Sequence, residues 1–247
     1  MTGKITASPL FGTLCFDEVF AMTASFLPDV EKARFNMVEQ QIRPWDVLDT
    51  TVLDLLFKIH RENFVPAEYR SLAFSDTEIP LRLDGQDTGE TMLAPKLEAR
   101  LLQELRLKPS DSVLEIGTGS GYQAALLAAL AQSVTSVEID PRLAAFGEQN
   151  LSKTGIGNVK VEVGDGSKGW SSTEFDAILL TGSVLEVPDS LKYQLRVGGR
   201  LVMIVGSLPV MTALRITRSA AASFETETLF ETVAKPLRGV SAPRFKF

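Results

Sequence analysis

Val113-Leu-Glu-Ile-Gly-Thr-Gly-Ser-Gly-Tyr122 is the stretch whose reading decides the fold. An apolar run that ends in three alternating glycines reads as a buried parallel strand, a tight backbone turn and the start of a helix. Glycines at 117, 119 and 121 remove every Cβ where the chain turns, so a ligand can lie against bare backbone. Tyr122 to Ala131, rich in Ala and Leu, is a strong helix former whose first N–H groups lack intrahelical partners. The spacing is G-x-G-x-G, with Tyr122 where a dinucleotide fingerprint would place its last glycine, and this disfavours a pyrophosphate.

Downstream, strands and helices alternate in the pattern of an open sheet. Strands are predicted at Ser133–Ile139, at Val159, Val161 and Val163, at Phe175–Thr181 and at Arg200–Val205. Asp140, Pro141 and Gly155 supply the cap, first position and stop of the intervening helix. Residues 211–218 and 224–234 form a final hairpin rich in Thr, Ile, Phe and Val. The expected fold is α/β, a doubly wound, mostly parallel seven-stranded sheet of Rossmann-like type.

Upstream, the chain turns helical from Glu31. Val52, Leu55, Leu56 and Ile59 give one apolar helical face that Asp49 can cap, and Pro66 ends the segment. Residues 73–94, with Pro80, Gly85 and Gly89, read as one long irregular loop, and a loop of that length inside a domain is usually functional or disordered. Pro95 opens the next helix, with Leu97, Leu101, Leu102 and Leu105 on its buried face.

With 247 residues, 45% hydrophobic and 23% charged, one domain is the default, here residues 31–247 after an extension of residues 1–30. A net charge of −6 and a pI near 5.0 argue against nucleic acid as partner. Cys15 and His60 are the only residues of their kind, which removes internal disulfides, thiolate metal clusters and the usual imidazole triads. Pro9, Gly12, Asp17 and Glu18 interrupt any secretory core, and no run reaches the ~20 apolar residues of a membrane span, so a cytoplasmic location is expected.

Glu115-Ile-Gly-Thr-Gly-Ser-Gly-Tyr122 resembles the first motif of class I S-adenosylmethionine-dependent methyltransferases. Met37-Val-Glu-Gln-Gln-Ile-Arg-Pro44, Phe64-Val-Pro66, Gly164-Asp-Gly-Ser-Lys-Gly-Trp170 and Phe175-Asp-Ala-Ile178 resemble, in order, segments of the protein-L-isoaspartate O-methyltransferase family. The likeness extends over residues 30–235. Gly89-Glu-Thr-Met-Leu-Ala-Pro-Lys96 is similar to that family's acceptor loop, written Gly-Gln-Thr-Ile-Ser-Ala-Pro-His, with Glu90, Leu93 and Lys96 in place of its glutamine, serine and histidine.

The resemblance implies S-adenosylmethionine as cofactor, held by Glu115, Gly117, Thr118, Gly119, Gly121, Glu138, Asp165 and Gly166. Glu138 ends the second strand, 17 positions after Gly121, where an acid can accept both ribose hydroxyls. Asp165 takes the adenine amino group in the family, and Glu115 holds the methionine ammonium or the nearby backbone in class I enzymes. Glu90, Met92, Leu93 and Lys96 form the substrate loop; Lys96 attracts a carboxylate or is simply a solvated helix residue, and Thr91 is the candidate for contact near the reacting groups.

The implied activity is carboxyl O-methylation of L-isoaspartyl residues in damaged proteins, whose ester then collapses to a succinimide. A carboxylate with pKa near ~4 is ionised at pH 7, so no general base is required and alignment with exclusion of water can suffice. Two other readings share the fold: methylation of a small carboxylate, which calls for a closed apolar pocket beside Met92 and Leu93, and an inactive S-adenosylmethionine-binding protein.

Overall fold

The computed structural model describes residues 27–239. Residues 1–26 of the expected extension lie outside the described residues, and residues 27–30 form the first turn of helix α1 (Leu27–Asn36). Helix α1 runs on through a π-helical stretch, Met37–Ile42, that buries Met37, Val38 and Ile42. Helix α2 (Thr50–Lys58) begins where Asp49 accepts the Thr51 N–H at 2.8 Å, and buries Val52, Leu53, Leu55 and Leu56.

The stretch read as an irregular loop contains a hairpin, β1 (Ile79–Leu83) and β2 (Gln86–Met92), antiparallel with a bulge between Pro80 and Arg82. Its second strand is largely polar, so backbone pairing rather than apolar alternation holds it, and periodicity gave no signal there. Helix α3 (Pro95–Leu105) starts on Pro95 and buries all four expected leucines.

Strand β3 (Ser112–Ile116) leads through the glycine turn into helix α4 (Tyr122–Leu130). Strand β4 (Ser133–Glu138), helix α5 (Pro141–Lys153), strand β5 (Val159–Val163), strand β6 (Phe175–Val184) and the short helix α6 (Asp189–Tyr193) follow. Strands β7 (Leu195–Ser207), β8 (Val210–Ala220) and β9 (Ser223–Thr232) complete a seven-stranded sheet ordered β5-β4-β3-β6-β7-β8-β9. The first five are parallel; β8 and β9 return antiparallel.

Side-chain alternation divides the core between the two faces of this sheet. Val113, Val134, Ala177 and Leu179 pack into the core shared with α2, α3 and α4, whereas Leu114, Ile116, Ile178 and Leu180 pack into the other with Leu191 of α6. Strand order reverses at β3, where β4 and β5 lie on one side and β6 and β7 on the other. That is the position at which an open α/β sheet leaves a crevice at its carboxyl edge.

Candidate active site

The carboxyl ends of β3, β4, β5 and β6 border a cleft. Gly117, Thr118, Gly119 and Ser120 form its floor. Gly117 has φ +100°, and a Cβ there would lie 2.2 Å from Thr181 Oγ1, whose hydroxyl donates to the Gly117 and Ile116 carbonyls at 2.8 and 3.0 Å. Gly121, at φ +82°, lets the loop close against Gly147 of α5, where a Cβ would stand 2.9 Å from the Gly147 carbonyl oxygen. The glycine corner is thus braced from β6 and from α5.

Glu138 lines the cleft and is nearly buried. Its Oε2 accepts the Gly119 N–H at 2.9 Å and its Oε1 the Asp140 N–H at 3.0 Å, so it ties the glycine loop to the entry of α5. Each carboxylate oxygen keeps a further lone pair for a ligand hydroxyl. Asp140 caps α5 by accepting the Arg142 N–H at 2.9 Å, and the Arg142 guanidinium beside it holds its carboxyl down at about 2. Asp165, Gly166 and Ser167 form the adjoining wall, with Asp165 Oδ1 accepting the Ser167 N–H at 2.9 Å.

Glu115 departs from the expectation of a cofactor contact. It points into the helix-covered core, is fully buried and does not line the cleft. Ser136 Oγ, directly across the β3–β4 pair, donates to its Oε2, and Thr118 Oγ1 lies 2.6 Å from that same Ser136 hydroxyl. Glu115 therefore acts on the loop from beneath, through two hydroxyls. Burial pushes its carboxyl up to about 8, with the Ser136 hydrogen bond opposing and Glu138 and Glu98 adding to the rise.

The acceptor loop is divided. Met92 and Leu93 are buried in the cleft wall and give it apolar surface. Thr91 also borders the cleft, but its hydroxyl donates to Glu78 Oε2 at 2.8 Å. Of the two readings of Lys96, a carboxylate contact or a solvated helix residue, its placement fits the second kind: its Nζ pairs with Asp76 at 2.7 Å and sits 4.4 Å from the Trp45 ring centroid, and it does not line the cleft. Glu90 lines the cleft and pairs with two cations from the C-terminal end, Lys235 at 3.4 Å and Arg238 at 2.5 Å.

Those cations belong to a segment absent from the sequence reading. Residues 235–238 cross the cleft after β9, pinned where Ser183 N donates to the Lys235 carbonyl and Leu237 N to the Ser183 carbonyl, each at 2.9 Å. Arg238 then clasps the Thr88 carbonyl, Glu90 and Asp140, joining the hairpin to the start of α5. Two buried polar side chains at the cleft were also missed: Glu98 of α3 and Gln123 of α4. Burial raises the Glu98 carboxyl to about 7 against the pull of Arg61, whose Nη1 lies 3.2 Å away. A polar residue at an inward helical position was the one available signal for both.

The chain matches the family model for protein-L-isoaspartate(D-aspartate) O-methyltransferases over residues 32–240. A protein-L-isoaspartate O-methyltransferase of Rhodopseudomonas palustris is 40% identical over 205 residues, covering 82% of this chain and 92% of that one. One of Koribacter versatilis is 39% identical over 207 residues, covering 83% and 90%. A solved protein-L-isoaspartate O-methyltransferase superposes with a TM-score of 0.72 at 26% identity, covering 85% of this chain and 66% of its own. A Plasmodium falciparum structure, described as a putative enzyme of that name with S-adenosyl-L-homocysteine, gives 0.69 at 21% identity and bears on the fold alone. Family match and sequence identity agree along most of the length, and the chain belongs to the protein-L-isoaspartate(D-aspartate) O-methyltransferase family.

Proposed function

We propose that the protein methylates the free carboxylate of isoaspartyl residues in damaged polypeptides, using S-adenosylmethionine. The observation that carries this reading is the cleft at the β3 switch point, floored by Gly117–Ser120 and flanked by Glu138 and Asp165, in a chain of this family. S-adenosylmethionine fits the residues present: Gly119 offers bare backbone, Glu138 has spare acceptor capacity, and the buried Gln123 amide has no protein partner.

When bound, this cofactor supplies a sulfonium methyl that passes to an oxygen of the acceptor carboxylate, leaving a neutral thioether and an ester. The chain's own part is positioning. Glu138 and Asp165 orient the adenosyl end, and the glycine floor admits it. Met92, Leu93 and Leu237 exclude water from the reacting atoms, and Lys235 sets a cation at the acceptor side. No group has to remove a proton, because the acceptor is already ionised.

The acidic overall charge favours a protein acceptor over nucleic acid. Among the described residues no helix is long and apolar enough to cross a membrane. The test is transfer of labelled methyl to an isoaspartyl peptide, with the matching aspartyl peptide as control. Labelling confined to the isoaspartyl form supports the assignment; cofactor binding with no labelling of either peptide overturns it.

A further inference from the structure

We infer that an apolar groove beside residues 235–236, walled by Leu185, Leu208 and Val233, takes an aliphatic side chain flanking the isoaspartyl residue, so that the enzyme prefers damage sites with a large apolar neighbour. The inference rests on the function proposed above and names which polypeptides it acts on best. It starts from the turn between β7 and β8. Such turns are ordinarily built from Gly, Asn, Asp and other polar residues, yet here the connecting pair is Leu208-Pro209, followed by Val210. Leu208 is 69% exposed and Val210 59%. Because β8 and β9 pair Met211 with Thr232, the next step along the register brings Val233, 53% exposed, beside Val210. One exposed aliphatic side chain needs no explanation, but three gathered at one end of a sheet form a patch, and patches mark contacts.

The patch borders a groove that runs on from the active site. Val184, Met211 and Ala234, all buried, form the floor between the three walls. Lys235 and Pro236 line both this groove and the cleft. On the hairpin side, Glu78 borders the groove and accepts the hydroxyl of Thr91, which borders the cleft. One short boundary therefore separates the two.

Charge sets the acceptor at that boundary. Among the described residues, Lys235 and Arg238 are the cations lining the cleft. Arg238 spends its three guanidinium nitrogens on Thr88, Glu90 and Asp140, whereas Lys235 Nζ makes a looser contact, 3.4 Å from Glu90 Oε2. An acceptor carboxylate drawn toward Lys235 has its neighbouring residue one extended step away, about 3.4 Å, which is enough to enter the groove. Ser183, the polar side chain inside it, already donates to the Ala234 carbonyl at 3.0 Å. A charged neighbour would lose water there without gaining a partner, while leucine or valine would bury apolar area.

The test compares methyl transfer to isoaspartyl peptides that carry one leucine, placed in turn at each of the two positions on either side of the isoaspartyl residue, with the same peptide carrying serine throughout. The expected result is that leucine at a flanking position raises kcat/KM about 5- to 20-fold over serine, chiefly through KM, and that Leu208→Ser combined with Val233→Ser brings this ratio to within about 2-fold. The ratio is the readout, so a variant that is merely less stable lowers both peptides alike and leaves it in place. Equal rates at every position, a leucine preference that survives both substitutions, or a concentration-dependent dimer in sedimentation that Leu208→Ser dissolves would overturn the inference. A serine reference peptide that is itself unlabelled, together with all the others, would instead sink the isoaspartyl assignment on which the inference rests.

Discussion

Replacing Glu115 by Gln should remove a specific part of the protein's pH-dependent stability. The Glu115 carboxyl is completely buried on the inner face of β3 and held up at about 8, against 4.5 when unfolded. Between those values the folded state keeps a proton that the unfolded state releases. A raised pKa of this kind gives stability that is fully present below about 4.5 and is lost as pH rises toward 8. One extra bound proton in the native state corresponds to a slope of about −1.4 kcal/mol per pH unit, or about 3 kcal/mol between pH 5 and 7.5. Glu98, raised to about 7, adds a decline of the same sign over the lower part of the window. The Gln variant keeps a neutral hydrogen-bonding group opposite Ser136 and should lose Glu115's share of the slope. Urea unfolding of both proteins at half-unit steps from pH 5 to 8 measures this directly. Parallel stability curves would refute the reasoning, because they would mean that Glu115 ionises in the folded protein near its ordinary value.

Glu138→Ala frees the Gly119 and Asp140 N–H groups and should weaken S-adenosylhomocysteine by roughly 10- to 100-fold, read by calorimetric titration. Gly147→Ala places a Cβ 2.7 Å from Thr118 Cγ2 and should cost about 1–3 kcal/mol in urea unfolding. Arg238→Ala removes the clasp on Thr88, Glu90 and Asp140, and stopped-flow release of S-adenosylhomocysteine should become several-fold faster, with less dependence on salt than in the wild type.

The parallel sheet, its helices and the glycine corner were legible in the sequence because each follows from a local rule. Apolar runs of strand length, Asp49 and Asp140 as caps, Pro95 and Pro141 at first helical positions and φ-permissive glycines act within a few residues of themselves. The family motifs, also local, marked Glu138 and Asp165 beside the cleft. What only the tertiary structure decided is which side chains face the cleft. Lys96 and Glu98 are two residues apart, hence about 200° apart around α3, so packing that turns one outward to Asp76 and Trp45 turns the other inward to Arg61 and the cleft. Glu115 reads as a ligand by its place in the motif, yet the pleat of β3 sends it under the loop to Ser136. Arg238 meets Glu90 across 148 residues because β8 and β9 return antiparallel and deliver the following segment to the end of β6. Such contacts depend on the closure of the whole sheet, and no window of sequence contains both partners.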